Sequence, residues 1–141
     1  MYKSILLPID LEDPASMAHA LTTAVEYAQA FGAKLQVMTV VPDFGMSVVG
    51  SFFPDDFADK AIAETNTRLH SFVSQNVPES VDVRHVVSHG RIYEEIISQA
   101  NELNADLIVM TAHNPDVSDY LLGSNAARVA RHAKQSVLIV R

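Results

Sequence analysis

The sequence predicts an α/β protein with a five-stranded, parallel, doubly wound sheet and helices on both faces. Three observations lead to this prediction. Five short apolar runs alternate with four stretches of helical periodicity along the 141 residues. Most of these runs are apolar almost throughout, as strands are when helices cover both of their faces. Right-handed crossovers that join such strands through helices produce a doubly wound sheet.

The strands are predicted from short runs that are mostly rich in β-branched residues. They are residues 5–9, 35–41, 81–87, 107–110 and 137–140. The third run, Val-Asp-Val-Arg-His-Val-Val, alternates apolar and polar side chains. This alternation predicts an edge strand with one face in water.

The first helix is predicted to follow Asp13, a residue type that commonly caps helix N-termini. Pro14 suits the first helical position, and Gly32 predicts the end of the helix. The second helix is predicted over about residues 55–72. The third follows Gly90, and its apolar residues recur at spacings of three and four.

The fourth helix is predicted to begin at the Gly123–Ser124 step and to bury Ala127, Val129 and Ala130. A helix N-terminus offers N–H groups without helical partners and the positive end of a dipole, which suits a phosphate group. The alternative is that Ser124 only caps its own helix.

Composition predicts one globular domain over residues 1–141 and excludes several classes of protein. A hydrophobic fraction of 48% argues against intrinsic disorder, and the absence of cysteine excludes disulfides and thiolate metal sites. The net charge of −7 argues against binding to nucleic acid or to anionic membranes. The sequence shows no signal peptide and no uninterrupted apolar stretch of about 18 residues. We therefore expect a cytoplasmic protein with neither nucleic acid nor membrane as a partner.

Ligands of open α/β sheets bind beyond the carboxyl ends of the strands, where the strand order reverses. The candidate binding residues therefore follow the first, second and fourth strands or open the last helix. They are Pro8, Ile9, Asp10, Val41, Met110, Thr111, His113, Asn114, Gly123, Ser124 and Asn125.

Residues 42–54 form a loop that is long for a connection between a strand and a helix, and it is unusually apolar. Such a loop can fold over a ligand or take part in an interface. The alternative is a mobile loop with exposed phenylalanine side chains.

The two ends of the chain carry a family resemblance. The chain opens with Ile-Leu-Leu-Pro-Ile-Asp at 5–10, and it closes with Leu-Leu-Gly-Ser-Asn-Ala-Ala at 121–127 and Ser-Val-Leu-Ile-Val-Arg at 136–141. With these segments it resembles the bacterial universal stress proteins, most closely the short, single-domain F/G-like members. The resemblance implies strand order 3-2-1-4-5 in a fold of the adenine nucleotide alpha hydrolase type. It also implies a homodimer that binds ATP, ADP or AMP in stress response or signalling.

Individual residues match the family pattern to different degrees. Asp10 matches the aspartate after strand one, and Val41 matches a backbone position on the adenine side. Gly123 and Ser124 match the last pair of the phosphate motif Gly-x2-Gly-x9-Gly-[Ser/Thr]. Thr111 and Asn114 stand at the first two glycines, with eight residues between Asn114 and Gly123. The motif is therefore degenerate in its first half, which predicts retained binding with altered geometry.

Motifs for efficient catalysis are absent from the sequence. Neither a nucleophile elbow nor a phosphate-binding P-loop occurs, so at most slow ATP hydrolysis is expected, with Mg²⁺ as an optional companion of the nucleotide. His85 and His89 are four residues apart, but no third ligand accompanies them, and His89 is predicted to lie in the turn before Gly90. The alternative function is a nucleotide-free interaction protein that uses the 42–54 loop and the edge strand at 136–141, the strand through which a homodimer is also expected.

Overall fold

The computed structural model describes residues 1–42, 57–112 and 123–141. The strands are β1 (Ser4–Pro8), β2 (Lys34–Pro42), β3 (Val83–Gly90), β4 (Leu107–Thr111) and β5 (Ser136–Val140). The helices are α1 (Ala18–Phe31), α2 (Phe57–Asn76), α3 (Ile92–Glu102) and α4 (Gly123–His132), with a 3-10 turn at Pro14–Met17 before α1.

The five strands form one parallel sheet in the order β3-β2-β1-β4-β5. The predicted fold class and strand order are therefore confirmed. β1 lies at the centre, where Leu6 is in register with Gln36 of β2 and with Ile108 of β4. The chain fills one side of β1 first and then crosses to the other, so the strand order reverses between β1 and β4. That reversal is where ligands bind in folds of this kind.

The core lies on both faces of the sheet. Ile5, Leu6 and Leu7 are consecutive in β1 and have no exposed surface at all. Because successive side chains of a strand point to opposite faces, both faces of β1 must be covered by helices. The pattern recurs in β4, where Ile108, Val109 and Met110 are equally buried.

The chain turns differently into α1 than the sequence predicts. Asp13 occupies the N-cap position of the 3-10 turn as predicted, but its side chain makes no capping hydrogen bond. The turn is instead organised by Asp10, whose Oδ1 accepts a hydrogen bond of 2.9 Å from the N–H of Glu12. A 3-10 turn that begins at Pro14 then leads into the helix, so proline does occupy the first turn as predicted.

β3 is longer at its carboxyl end than the sequence predicts. His89 lies within the strand and is in register with Val41, so its predicted place in a turn is wrong. The physical reason is that β2 continues to Pro42 and offers β3 backbone partners as far as Gly90. As predicted, β3 is an edge strand.

α4 begins at Gly123 as predicted, but its buried face differs from the predicted one. Ala126 and Val129 are buried, whereas Ala127 and Ala130 are exposed. Alanine is common on both faces of helices, so its position in the sequence says little about the buried face. None of the helices among the described residues has the length and apolarity that a membrane crossing needs.

Gly32 ends α1 in the left-handed conformation with φ of 63°, and the N–H of Ala33 reaches back 2.9 Å to the carbonyl of Ala28. A Cβ atom placed on Gly32 meets nothing within 4 Å. Gly32→Ala therefore adds backbone strain without a clash, and we expect it to lower the free energy of unfolding by about 1 kcal/mol. Gly32→Asn should cost less, because asparagine adopts this conformation more readily. Urea unfolding of the two variants measures the difference, and equal stabilities would contradict the prediction.

Candidate functional site

A small cleft with a cavity volume of about 20 Å³ opens at the carboxyl ends of β1 and β2, under the first turns of α3. Its lining is mostly apolar, with one carboxylate and one hydroxyl group. The lining residues are Pro8, Ile9, Asp10, Thr39, Val40, Ile92 and Ile96. Apolar walls with few polar groups are typical of small-molecule sites.

The end of β1 is fixed against β2 by two hydrogen bonds. The N–H of Ile9 donates to the carbonyl of Met38 at 2.8 Å, and the buried hydroxyl of Thr39 donates to the carbonyl of Ile9 at 3.0 Å. Because both bonds hold the residue directly before Asp10, the carboxylate has a defined position relative to β2.

Asp10 is only 7% exposed although it lies beyond the end of β1. Its Oδ1 accepts from the N–H of Glu12, and its carbonyl accepts from the N–H of Asp13 at 3.2 Å. A carboxylate offers about four acceptor positions, so it can bind ligand hydroxyl groups in addition to an amide. The site can therefore bind a ligand that combines an apolar body with hydroxyl groups.

α3 closes the cleft with Ile92 and with Ile96, which is fully buried. The chain enters this helix through Gly90, whose φ of 143° is rarely adopted by residues with a side chain. This turn places the start of α3 directly above the strand ends. Sequence periodicity assigns both isoleucines to the buried face of the helix but does not show that they line a cleft.

The end of β4 is held by contacts within the protein. Met110 is fully buried, and the hydroxyl of Thr111 lies 3.6 Å from Sδ of Met17. The N–H of Ala112 donates to the carbonyl of Val140 at 2.8 Å. The β-branched side chain at the first position of the phosphate segment is therefore turned towards the 3-10 turn before α1.

The predicted site residues fall into three groups. Pro8, Ile9 and Asp10 line the cleft together. Val41 is buried next to a lining residue, and Met110 and Thr111 end the neighbouring strand, but none of these three side chains lines the cleft. Gly123, Ser124 and Asn125 form the first turn of α4, in which Ser124 is exposed and Asn125 is buried. His113, Asn114 and residues 43–54 of the apolar loop lie outside the described residues.

α4 packs against the helix that closes the cleft. The guanidinium of Arg128 lies 5.4 Å from the centre of the Tyr93 ring, and the same ring lies 6.2 Å from the ring of His132. Tyr93 follows Ile92, a lining residue, directly in α3. The helix that carries Ser124 is therefore positioned relative to the cleft by side-chain contacts as well as by the chain.

Fold and cleft define a doubly wound α/β protein whose candidate binding site lies at the carboxyl ends of the central strands. The model of the universal stress protein family matches residues 1–141. The chain belongs to this family.

Named relatives and solved structures agree with this assignment. The chain is 33% identical to universal stress protein G of Shigella flexneri, with 100% of both chains covered. It is similar to the crystal structure of a universal stress protein in complex with cAMP, with 28% identity, a TM-score of 0.60 and coverage of 99% of this chain and 97% of that one. It shares its fold with a universal stress protein of Archaeoglobus fulgidus in complex with dAMP, at 21% identity, a TM-score of 0.71 and coverage of 99% and 98%.

Proposed function

We propose that this protein binds an adenine nucleotide in the cytoplasm and acts in stress response or signalling rather than as a dedicated enzyme. The observation that carries the proposal is the cleft at the end of β1, in which apolar walls surround the carboxylate of Asp10. The relatives that are complexed with cAMP and dAMP support an adenine nucleotide as the ligand.

The chemistry of the cleft suits the base and the sugar of a nucleotide. A purine ring buries its faces against apolar side chains such as Val40 and Ile92. A carboxylate at a strand end accepts hydrogen bonds from ribose hydroxyls, as acidic residues do in other doubly wound folds. Among the described residues that line the cleft, Asp10 is the only charged one, so we assign it to the ribose.

We assign the phosphates to the start of α4. Gly123, Ser124 and Asn125 belong to its first turn, where the helix dipole favours an anion. His113 and Asn114 would complete this part of the site together with backbone of Met110 and Thr111. The nucleotide is ATP, ADP or AMP, with Mg²⁺ as an optional companion of the phosphates.

Titration of wild-type protein with ATP, ADP and AMP by calorimetry tests the proposal directly. Asp10→Ala should weaken the binding of all three ligands by a similar factor of about ten to a hundred, because it removes hydrogen bonds between a charged acceptor and the ribose. The factor should be similar because Asp10 is assigned to the ribose and not to the phosphates. Asp13→Ala is the matched control, since Asp13 lies in the same turn outside the cleft lining and should bind as wild type does. Wild-type protein that binds none of the three would refute the proposal.

Ser124 distinguishes the phosphate end of the site from the adenine end. Aspartate is a suitable residue at a helix start, so the melting temperature of the Ser124→Asp variant should stay close to that of wild type. The added negative charge should strongly weaken the binding of ATP and ADP and weaken that of AMP less, because like charges meet at the start of α4. Ser124→Ala should cost about five- to thirtyfold in affinity through one lost hydrogen bond to a charged group. ATP affinity unchanged in Ser124→Asp would mean that the phosphates lie elsewhere.

The outer strand β5 is the proposed interface of a homodimer. Residues 136–141 form one edge of the sheet, and Ile139 is 37% exposed there. An apolar edge strand without internal proline or charge can pair with its own copy around a two-fold axis.

Light scattering at micromolar concentration should therefore give the mass of a dimer. Ile139→Pro should give a monomer, because proline cannot donate a hydrogen bond across the edge. Ile139→Thr, which keeps the N–H, should remain dimeric, and melting curves of both variants separate dissociation from unfolding. A wild-type monomer would contradict the interface. A dimer that binds no nucleotide would favour the alternative of an interaction protein that acts through this edge and the 42–54 loop.

A further inference from the structure

Two histidines that are far apart in the sequence meet outside the candidate nucleotide site. His70 of α2 and His85 of β3 have ring centres 5.2 Å apart, with an angle of 55° between the ring planes. His70 is exposed and His85 is partly buried. From this geometry we propose that the pair binds a divalent transition-metal ion such as Zn²⁺ or Cu²⁺.

The separation of the rings fits a shared ion. Two imidazoles that bind one tetrahedral ion through metal–nitrogen bonds of about 2.0 Å have ring centres about 5 Å apart. The observed distance between the ring centres therefore matches that of two ligands of one ion.

The ring nitrogens of the pair have no partner in the part of the chain that the structure describes. Neither His70 nor His85 makes a hydrogen bond or an ion pair with any of the described residues. His19, in contrast, has its Nδ1 3.2 Å from the carbonyl oxygen of Arg141. Neither ring has a nitrogen among the buried polar atoms that lack a partner, so the nitrogens of both rings are accessible to an external ligand. The net charge of −7 also favours cations at the surface.

The His70–His85 pair differs from the pair of His85 and His89, which the spacing in the sequence suggests as metal ligands. His85 and His89 lie on one strand four residues apart, which is about 13 Å along the strand, and that is too far for parallel side chains to share an ion. No group of three or more metal-ligating side chains occurs among residues 1–42, 57–112 and 123–141. The ion would therefore have two protein ligands and complete its coordination with water, which makes the site exchangeable.

The pair shares no residue with the nucleotide cleft. His85 is in register with Val37, two residues before the lining residue Thr39 on β2. A bound ion would tie α2 to the edge strand of the sheet and would leave Asp10 untouched. Metal binding and nucleotide binding can thus be measured and lost independently.

Calorimetric titration of tag-free protein with ZnCl₂ tests the site. We expect one ion per chain with a dissociation constant in the micromolar range. His70→Ala and His85→Phe should each weaken Zn²⁺ binding at least tenfold, because each removes one of the two ligands. The double variant should bind Zn²⁺ only slightly more weakly than either single variant, because the two ligands act on the same ion. Phenylalanine keeps the ring of His85 against α2 while removing its nitrogens, so folding is preserved. His89→Ala is the matched control on the same strand and should change the affinity less than about twofold.

Electron paramagnetic resonance with Cu²⁺ provides a second measurement. The spectrum of wild-type protein should show two coupled nitrogens, and each single variant should show one. Millimolar or weaker Zn²⁺ binding by wild-type protein would overturn the proposal. Equal losses in His89→Ala and His70→Ala, or half an ion per chain with zinc-dependent association in light scattering, would overturn it as well.

Discussion

The architecture depends on the burial of β1 on both faces and its pairing on both edges. Ile5, Leu6 and Leu7 point alternately to the two faces and are completely removed from water. A parallel strand in this position requires helices above and below the sheet, and every connection between parallel strands must cross over the sheet to supply them. The central position of β1 also creates the reversal of strand order between β1 and β4. One apolar segment near the N-terminus therefore accounts for both the layers of the fold and the place of its site.

The candidate site lies at the carboxyl end of β1, where the pairing of this strand on both edges ends. Beyond Leu6 the strand has no register partner on β4, yet Ile9 and Thr39 still hold it against β2 through hydrogen bonds. The chain then turns under the control of the Asp10 carboxylate, which is buried at the strand end. A polar group in such a position must be satisfied by hydrogen bonds, and a ligand with hydroxyl groups can contribute to them. The Asp10 carboxylate thus has a structural role in the turn and a proposed role in binding.

The two ends of the molecule differ in their chemistry. The carboxyl edge of the sheet carries the cleft, the start of α3 and the start of α4, so helix N-termini and strand ends converge there. The opposite edge carries hydrogen bonds that join the beginnings of neighbouring strands. The Asp106 carboxylate, directly before β4, accepts from the N–H groups of Lys3 and Ser4 at the start of β1 at 3.0–3.2 Å. The His70–His85 pair lies on the flank of the sheet between these two edges. This separation follows from the parallel arrangement, because all strands begin at one edge and end at the other.

Local patterns in the sequence determined the elements, the fold class and the candidate status of Asp10 and Ser124. Apolar runs, helical spacing and the glycine at position 32 act over a few residues, so they can be interpreted without the rest of the chain. Only the tertiary structure decided which side chains complete the cleft. Ile92 and Ile96 reach Asp10 across more than 80 residues of chain, and His70 meets His85 because α2 packs on β3. Such contacts depend on how whole elements pack, and no short stretch of sequence encodes that packing. The same holds for the turn into α1, because Asp10 accepts from Glu12 at a position that depends on where β1 is held by β2.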